Sequence, residues 1–224
     1  AGGSSPAKSV ISENWPALTE VADETAVPGR LHLVIPPNLP VAWENGRITV
    51  GVEISTESGR SLLKAISAGT TLFLDTGDAV LYRVLQQLSP SEVPGVLLVA
   101  VEEFSQLLTT LPGHPRLTLG KTVPLQVSHL PLRPALKRLN GLRFRVEWES
   151  GQVPLIAAGG SWIFDGKNRL QPIAHGLNAA SQALLGAGAT VAPADFPGLF
   201  PRWQQHFEMG EIRLVRPAVE VRLE

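Results

Sequence analysis

Arg47-Ile-Thr-Val-Gly-Val-Glu-Ile-Ser55 alternates without a break: Ile48, Val50, Val52 and Ile54 fall on one side of an extended chain, Thr49, Gly51, Glu53 and Ser55 on the other. A period of two marks a strand with one buried and one wet face. Asn45-Gly46 ahead of it is a tight-turn dipeptide, and Trp43 lies across that turn. Together they predict a hairpin of Leu39–Trp43 with Arg47–Ser55. Upstream, Arg30–Ile35 alternates and is closed by Pro36-Pro37, which predicts a further strand.

Downstream, Thr71–Leu74 reads as a short strand, and Asp75 or Thr76 caps a helix to about Leu88 with Leu81, Val84, Leu85 and Leu88 as its apolar stripe. Ser89-Pro90 ends that helix. Val96–Val99 is a wholly apolar strand, and Glu102–Leu111 a helix with acids in its first turn, stopped by Pro112-Gly113. This strand–helix–strand–helix order predicts a small α/β unit. From His114 the texture turns to β. Arg116–Leu119, Val123–Val127, Leu142–Trp148, Val153–Ile156 and Trp162–Phe164 alternate, and Asp165-Gly166 turns the chain into Arg169–Pro172. Ala174–Leu185 predicts a helix ended by Gly186 and Gly188, Asp195 an N-cap for a Pro-broken helix through Phe207, and Glu211–Leu223 a strand. The expected fold class is α+β: an α/β part over 30–112, then a β-rich, mostly antiparallel part over 113–224 with helices near 174–185 and 195–207. Residues 1–29 are expected to form a linker or extended arm, and the internal boundary to lie near 112–115.

With 224 residues, 44% of them hydrophobic and 17% charged, the chain can bury a core. Cysteine is absent, which excludes a disulfide framework and thiolate metal sites and suits a cytoplasmic location. No apolar run approaches the length of a membrane span. The start, AGGSSPAKS, lacks Met and reads as a linker, and the end, VEVRLE, stops within a strand-like alternation. Both predict a piece of a longer protein.

Charge is sorted along the chain. Phe104–Val146 carries seven cations (Arg116, Lys121, Arg133, Lys137, Arg138, Arg143, Arg145) and no acid, while residues 1–103 sum to −6 and 147–224 to −2. Such sorting points to a surface that meets an anion or another protein. Arg143 and Arg145 share one face of a strand while Phe144 and Val146 point to the other. Arg133, Lys137 and Arg138 are expected in or beside the loop before it. These five are the candidate contacts to a nucleic-acid backbone. Phe200, Trp203 and Phe207, within Phe200-Pro-Arg-Trp-Gln-Gln-His-Phe207, are the candidate exposed anchors for a protein partner.

Catalytic patterns are sparse. Gly120-Lys121-Thr122 resembles the end of a phosphate loop but lacks its upstream glycine, and Gly186-Ala-Gly188-Ala189-Thr190 has glycines without lysine. Asp75 and Asp78 stand as DxxD at a helix start, where capping explains them. Gly159-Gly160-Ser161-Trp162 misses the nucleophile elbow, and the five His make no HxH or HxxxH pair. No cofactor, metal or catalytic residue is assigned.

The succession Gly77-Asp-Ala-Val-Leu-Tyr-Arg-Val-Leu-Gln-Gln-Leu88, the Phe104–Leu111 helix, Leu142-Arg-Phe-Arg-Val-Glu-Trp148, Trp162-Ile-Phe-Asp165, Gly176-Leu177 and Pro193-Ala-Asp-Phe-Pro-Gly-Leu-Phe-Pro201 resembles the region preceding the motor in bacterial Swi/Snf-type helicase-like ATPases. The likeness covers about 70–224. It implies a non-catalytic accessory domain that docks on the motor domain of the same longer chain and contacts duplex DNA. With no Walker A or DExH motif, such a piece would not hydrolyse ATP by itself. The alternatives are a stand-alone protein-interaction or assembly module and an enzyme of unrecognised family.

Overall fold

A computed structural model describes residues 14–19, 21, 24–148, 151–158, 160–173 and 189–207. The chain is α+β, with mostly antiparallel sheets and, among the described residues, four helices. One compact unit lies within Ala1–Leu130 and Val153–Pro172, the other within Pro131–Gln152 and Ile173–Glu224.

Arg47–Thr56 organises the first unit. It pairs antiparallel with Arg30–Ile35 on one edge, Leu33 opposite Val52. Along its other edge it takes Val96–Ala100 beside its first half and Gly59–Leu62 beside its second. Leu117–Leu119 adds to Arg30–Ile35 in parallel, and Val123–Pro124 closes the sheet. The alternation holds: Ile48, Val50, Val52 and Ile54 are fully buried, while Thr49 is exposed and Glu53 and Ser55 half-buried. Their apolar face meets Leu31, Leu33, Leu72, Tyr82, Leu85 and Phe104 in one core. Each such aliphatic side chain stabilises by about 1.5–3 kcal/mol on burial.

The hairpin expected at Leu39–Trp43 is instead a helix, α1, Leu39–Glu44. Pro40 suits a first turn, and Asn45-Gly46, with Gly46 at φ +78°, ends the helix as readily as it would turn a hairpin. The helical spacing puts Leu39 and Trp43 on one buried face. The Trp43 indole packs edge-on to Phe104, centroids 6.1 Å apart, and its Nε1–H donates to Ile156 O at 2.9 Å.

Helix α2, Thr76–Leu88, starts at Asp75, whose carboxylate accepts from Asp78 N–H at 2.8 Å. Helix α3, Val101–Thr109, has Glu102 and Glu103 in its first turn. The strands before them belong to different sheets, so no single α/β unit forms over 71–111. Thr71–Phe73 lies parallel between Ala17–Thr19 and Val27–Pro28, whereas Val96–Ala100 runs antiparallel beside Arg47–Thr56. The expected arm is therefore partly strand. It is pinned by Tyr82 Oη–H donating to Pro16 O at 2.6 Å and Trp15 Nε1–H to Ser89 O at 3.1 Å.

The chain does not change unit near 112–115. After Gly113 (φ +75°) it returns to the same sheet as Leu117–Leu119. A four-stranded sheet in the order Gln126–Val127, Arg169–Pro172, Trp162–Phe164, Val153–Leu155 completes this unit. Its Asp165-Gly166 turn forms as expected, Asp165 Oδ1 accepting three backbone N–H groups at 2.9 Å.

In the second unit Ala135–Asn140 and Arg143–Glu147 form a hairpin extended by Ala189–Thr190, with helix α4, Phe196–His206, supplying apolar cover. Asp195 stands before α4, but its side chain makes no capping bond. The expected helix at Ala174–Leu185 and strand at Glu211–Leu223 lie outside the described residues.

Candidate nucleic-acid interface

Pairing in the hairpin sets Leu136 opposite Val146 and Lys137 opposite Arg145, with an irregularity between Arg138 and Asn140 before the turn at Gly141 (φ +53°). Leu136, Phe144 and Val146 are buried, so the alternate side chains Lys137, Arg143 and Arg145 emerge together on the outer face. Lys137 and Arg138 thus lie within a strand rather than the expected loop. Arg133 is exposed just ahead of it. Arg138 Nε–H donates to Gly141 O and braces the turn.

Two cations directly opposite one another destabilise a strand pair. Glu147 offsets this: its carboxylate bonds Lys137 Nζ at 2.5 Å and the Arg145 guanidinium. Those bonds, Lys137's first, hold the Glu147 carboxyl below the ordinary glutamate range. Glu147 is the first acid beyond the acid-free stretch, and strand register brings it onto the same face. Among the described residues the outer face therefore carries Lys137, Arg143 and Arg145, with the Glu147 carboxylate bonding Lys137 and Arg145.

The other two cations of the stretch belong to the first unit. Lys121 sits in the turn between Leu117–Leu119 and Val123–Pro124, with Gly120 at φ +58°. No helix follows Gly120-Lys121-Thr122, so the strand–loop–helix geometry of a phosphate loop is not built there. Arg116 is committed to a buried cluster that the sequence reading missed. Asp78, fully buried, accepts from Leu31 N–H at 3.0 Å, His114 Nε2–H at 2.9 Å and Arg116 Nη2–H at 2.7 Å. Arg116 also reaches Asp75 Oδ2 and Leu31 O, each at 3.1 Å. Burial raises the Asp78 pKa, but the bonds from His114, Arg116 and Leu31 outweigh it, and the carboxyl stays below the ordinary aspartate range. His114 Nδ1 accepts Arg116 N–H at 3.3 Å, so both ring nitrogens are hydrogen-bonded within the cluster. The cluster ties the start of α2 to two strands of the main sheet. Nothing in the DxxD spacing reveals this, because His114 and Arg116 are distant in sequence.

The aromatic anchors of α4 are not exposed. Phe200, Trp203 and Phe207 are 7%, 6% and 2% accessible. Trp203 packs edge-on against Phe144 at 5.2 Å, and Phe144 stacks on Phe196 at 5.4 Å. This corrects the expected partner surface: a small unit needs these rings for its own core. A His–Ser pair also lies on the wet side of the main sheet, Ser55 Oγ and His32 Nε2 being 2.8 Å apart. Desolvation, with Arg60 and Arg116 nearby, lowers the His32 pKa. Among the described residues no helix is long and apolar enough to cross a membrane. Comparison of the chain with family models, with curated proteins and with solved structures gives no match.

Proposed function

We propose that this chain is a non-catalytic accessory domain of a bacterial Swi/Snf-type DNA translocase, docking on the motor and contacting the phosphate backbone of duplex DNA. The observation that carries the DNA contact is the hairpin, where Lys137, Arg143 and Arg145 stand on one outward face; Arg138, opposite Phe144 in register, and Arg133 are exposed as well. The translocase context rests on the order of elements over 70–224. Backbone contact needs cations spaced on a regular surface and no base-reading groups, which suits a strand pair whose other face is core.

A DNA titration at about 50 and 200 mM salt tests the reading. Three to five phosphate contacts predict a log–log salt slope of about −3 to −4.5. Changing Arg133, Lys137, Arg138, Arg143 and Arg145 together to Ala is expected to flatten that slope, and Glu147→Gln, which frees Lys137 and Arg145, to steepen it. Absence of binding at the lower salt, or an unchanged slope in the five-residue variant, overturns the proposal.

A further inference from the structure

Among the described residues, the strand Val96–Ala100 has one edge covered and one open. Val52 N–H donates to Gly95 O and Val101 N–H to Gly46 O. In an antiparallel pair these bonds alternate, so the odd-numbered residues of the strand face Arg47–Thr56. The N–H and C=O groups of Val96 and Leu98 point the opposite way, and no described residue bonds them. Ala100 N–H, on the same edge, is held by the Glu103 carboxylate at 3.3 Å. The side chains of Val96 and Leu98 are 59% and 61% exposed. Val-Leu-Leu-Val-Ala contains no charge and no Pro, the features that normally keep an open edge from pairing.

We infer that this edge is a dimerisation site, and that its occupant is the same strand of a second copy, added antiparallel about a two-fold axis at Leu97. An extended strand is what two unpaired N–H and two unpaired C=O groups on an open edge accept. The two-fold about Leu97 sets Val96 opposite Leu98 of the second copy. It joins exposed face to exposed face and buried to buried, and satisfies all four open groups of each copy without displacing Glu103 from Ala100 N–H. An axis through Leu98 would instead bring Ala100 opposite Val96, where that N–H is already occupied. The interface is isologous, the same patch serving both copies.

The test uses the whole chain, which has no native cysteine. Val96→Cys and Leu98→Cys proteins are mixed under mild oxidation. Residues opposite in a hydrogen-bonded pair lie about 5.5 Å apart at Cα, inside the disulfide window. Like residues of the two copies sit diagonally at about 7–8 Å, outside it. The mixture is therefore expected to form a covalent dimer that neither protein forms alone. Sedimentation equilibrium of the unmodified chain is expected to give twice the monomer mass at high concentration, and Leu98→Lys to abolish this while leaving the unfolding midpoint of the monomer unchanged. A monomer mass up to millimolar concentration, or crosslinking in the mixture no faster than in either protein alone, overturns the inference. It does not depend on DNA binding, so the two proposals fail separately.

Discussion

Replacing Asp78 with Ala removes the one acceptor shared by Leu31 N–H, His114 Nε2–H and Arg116 Nη2–H. Arg116 keeps Asp75 and Leu31 O, so its charge is not stranded. The Leu31 amide and the His114 ring N–H lose their partner at a fully buried position. Each buried donor left unsatisfied costs about 1–3 kcal/mol, so the two together cost about 2–6 kcal/mol. We expect about 2–6 kcal/mol for Asp78→Ala, against about 0.5–2 kcal/mol for Asp75→Ala, which removes only an N-cap and an exposed contact. The assay is urea unfolding followed by tryptophan fluorescence, since Trp15, Trp43 and Trp162 share the core with α2. At about 2–4 °C per kcal/mol for a chain of this size, the thermal midpoint falls by about 4–24 °C. A cost below about 1 kcal/mol, the range of an ordinary surface substitution, would refute the cluster as a clamp.

Two further outcomes follow from the same geometry. Because the folded-state pKa of Asp78 is depressed, its stabilisation is fully present above its unfolded pKa, about 4, and is lost as pH falls through the lower folded value. The stability gap between the parent chain and Asp78→Asn should therefore be constant near neutrality and close in strong acid. A gap independent of pH down to the acid transition would contradict this. Trp203→Ala should destabilise the second unit by about 3–5 kcal/mol, the range for emptying a buried aromatic site. Circular dichroism melts read this directly. A neutral effect on stability would restore Trp203 as a surface anchor.

The alternation of Arg47–Ser55, the cap at Asp75 and the turn at Asp165-Gly166 could be read from sequence, because each is decided by residues within a few positions of one another. An apolar period of two needs no partner to be recognised, and an aspartate before a helix finds its N–H three residues on. Leu39–Glu44 defeated that reading: six residues hold too little period to separate helix from strand, and Asn-Gly serves both turn and helix end. Its helical state is settled by Trp43 meeting Phe104 and Ile156, far along the chain.

The candidate site divides in the same way. The gathering of cations between Phe104 and Val146, and the shared face of Arg143 and Arg145, are legible in the primary structure, because composition and a period of two are properties of the chain alone. Which of those cations stay at the surface depends on folding. Long-range pairing put Arg116 with Asp78 inside the first unit, and strand register brought Glu147 beside Lys137 and Arg145. Packing likewise drew Trp203 against Phe144. A charge or a ring acquires its role from what lies within a few ångströms, and those neighbours come from parts of the chain that only folding brings together.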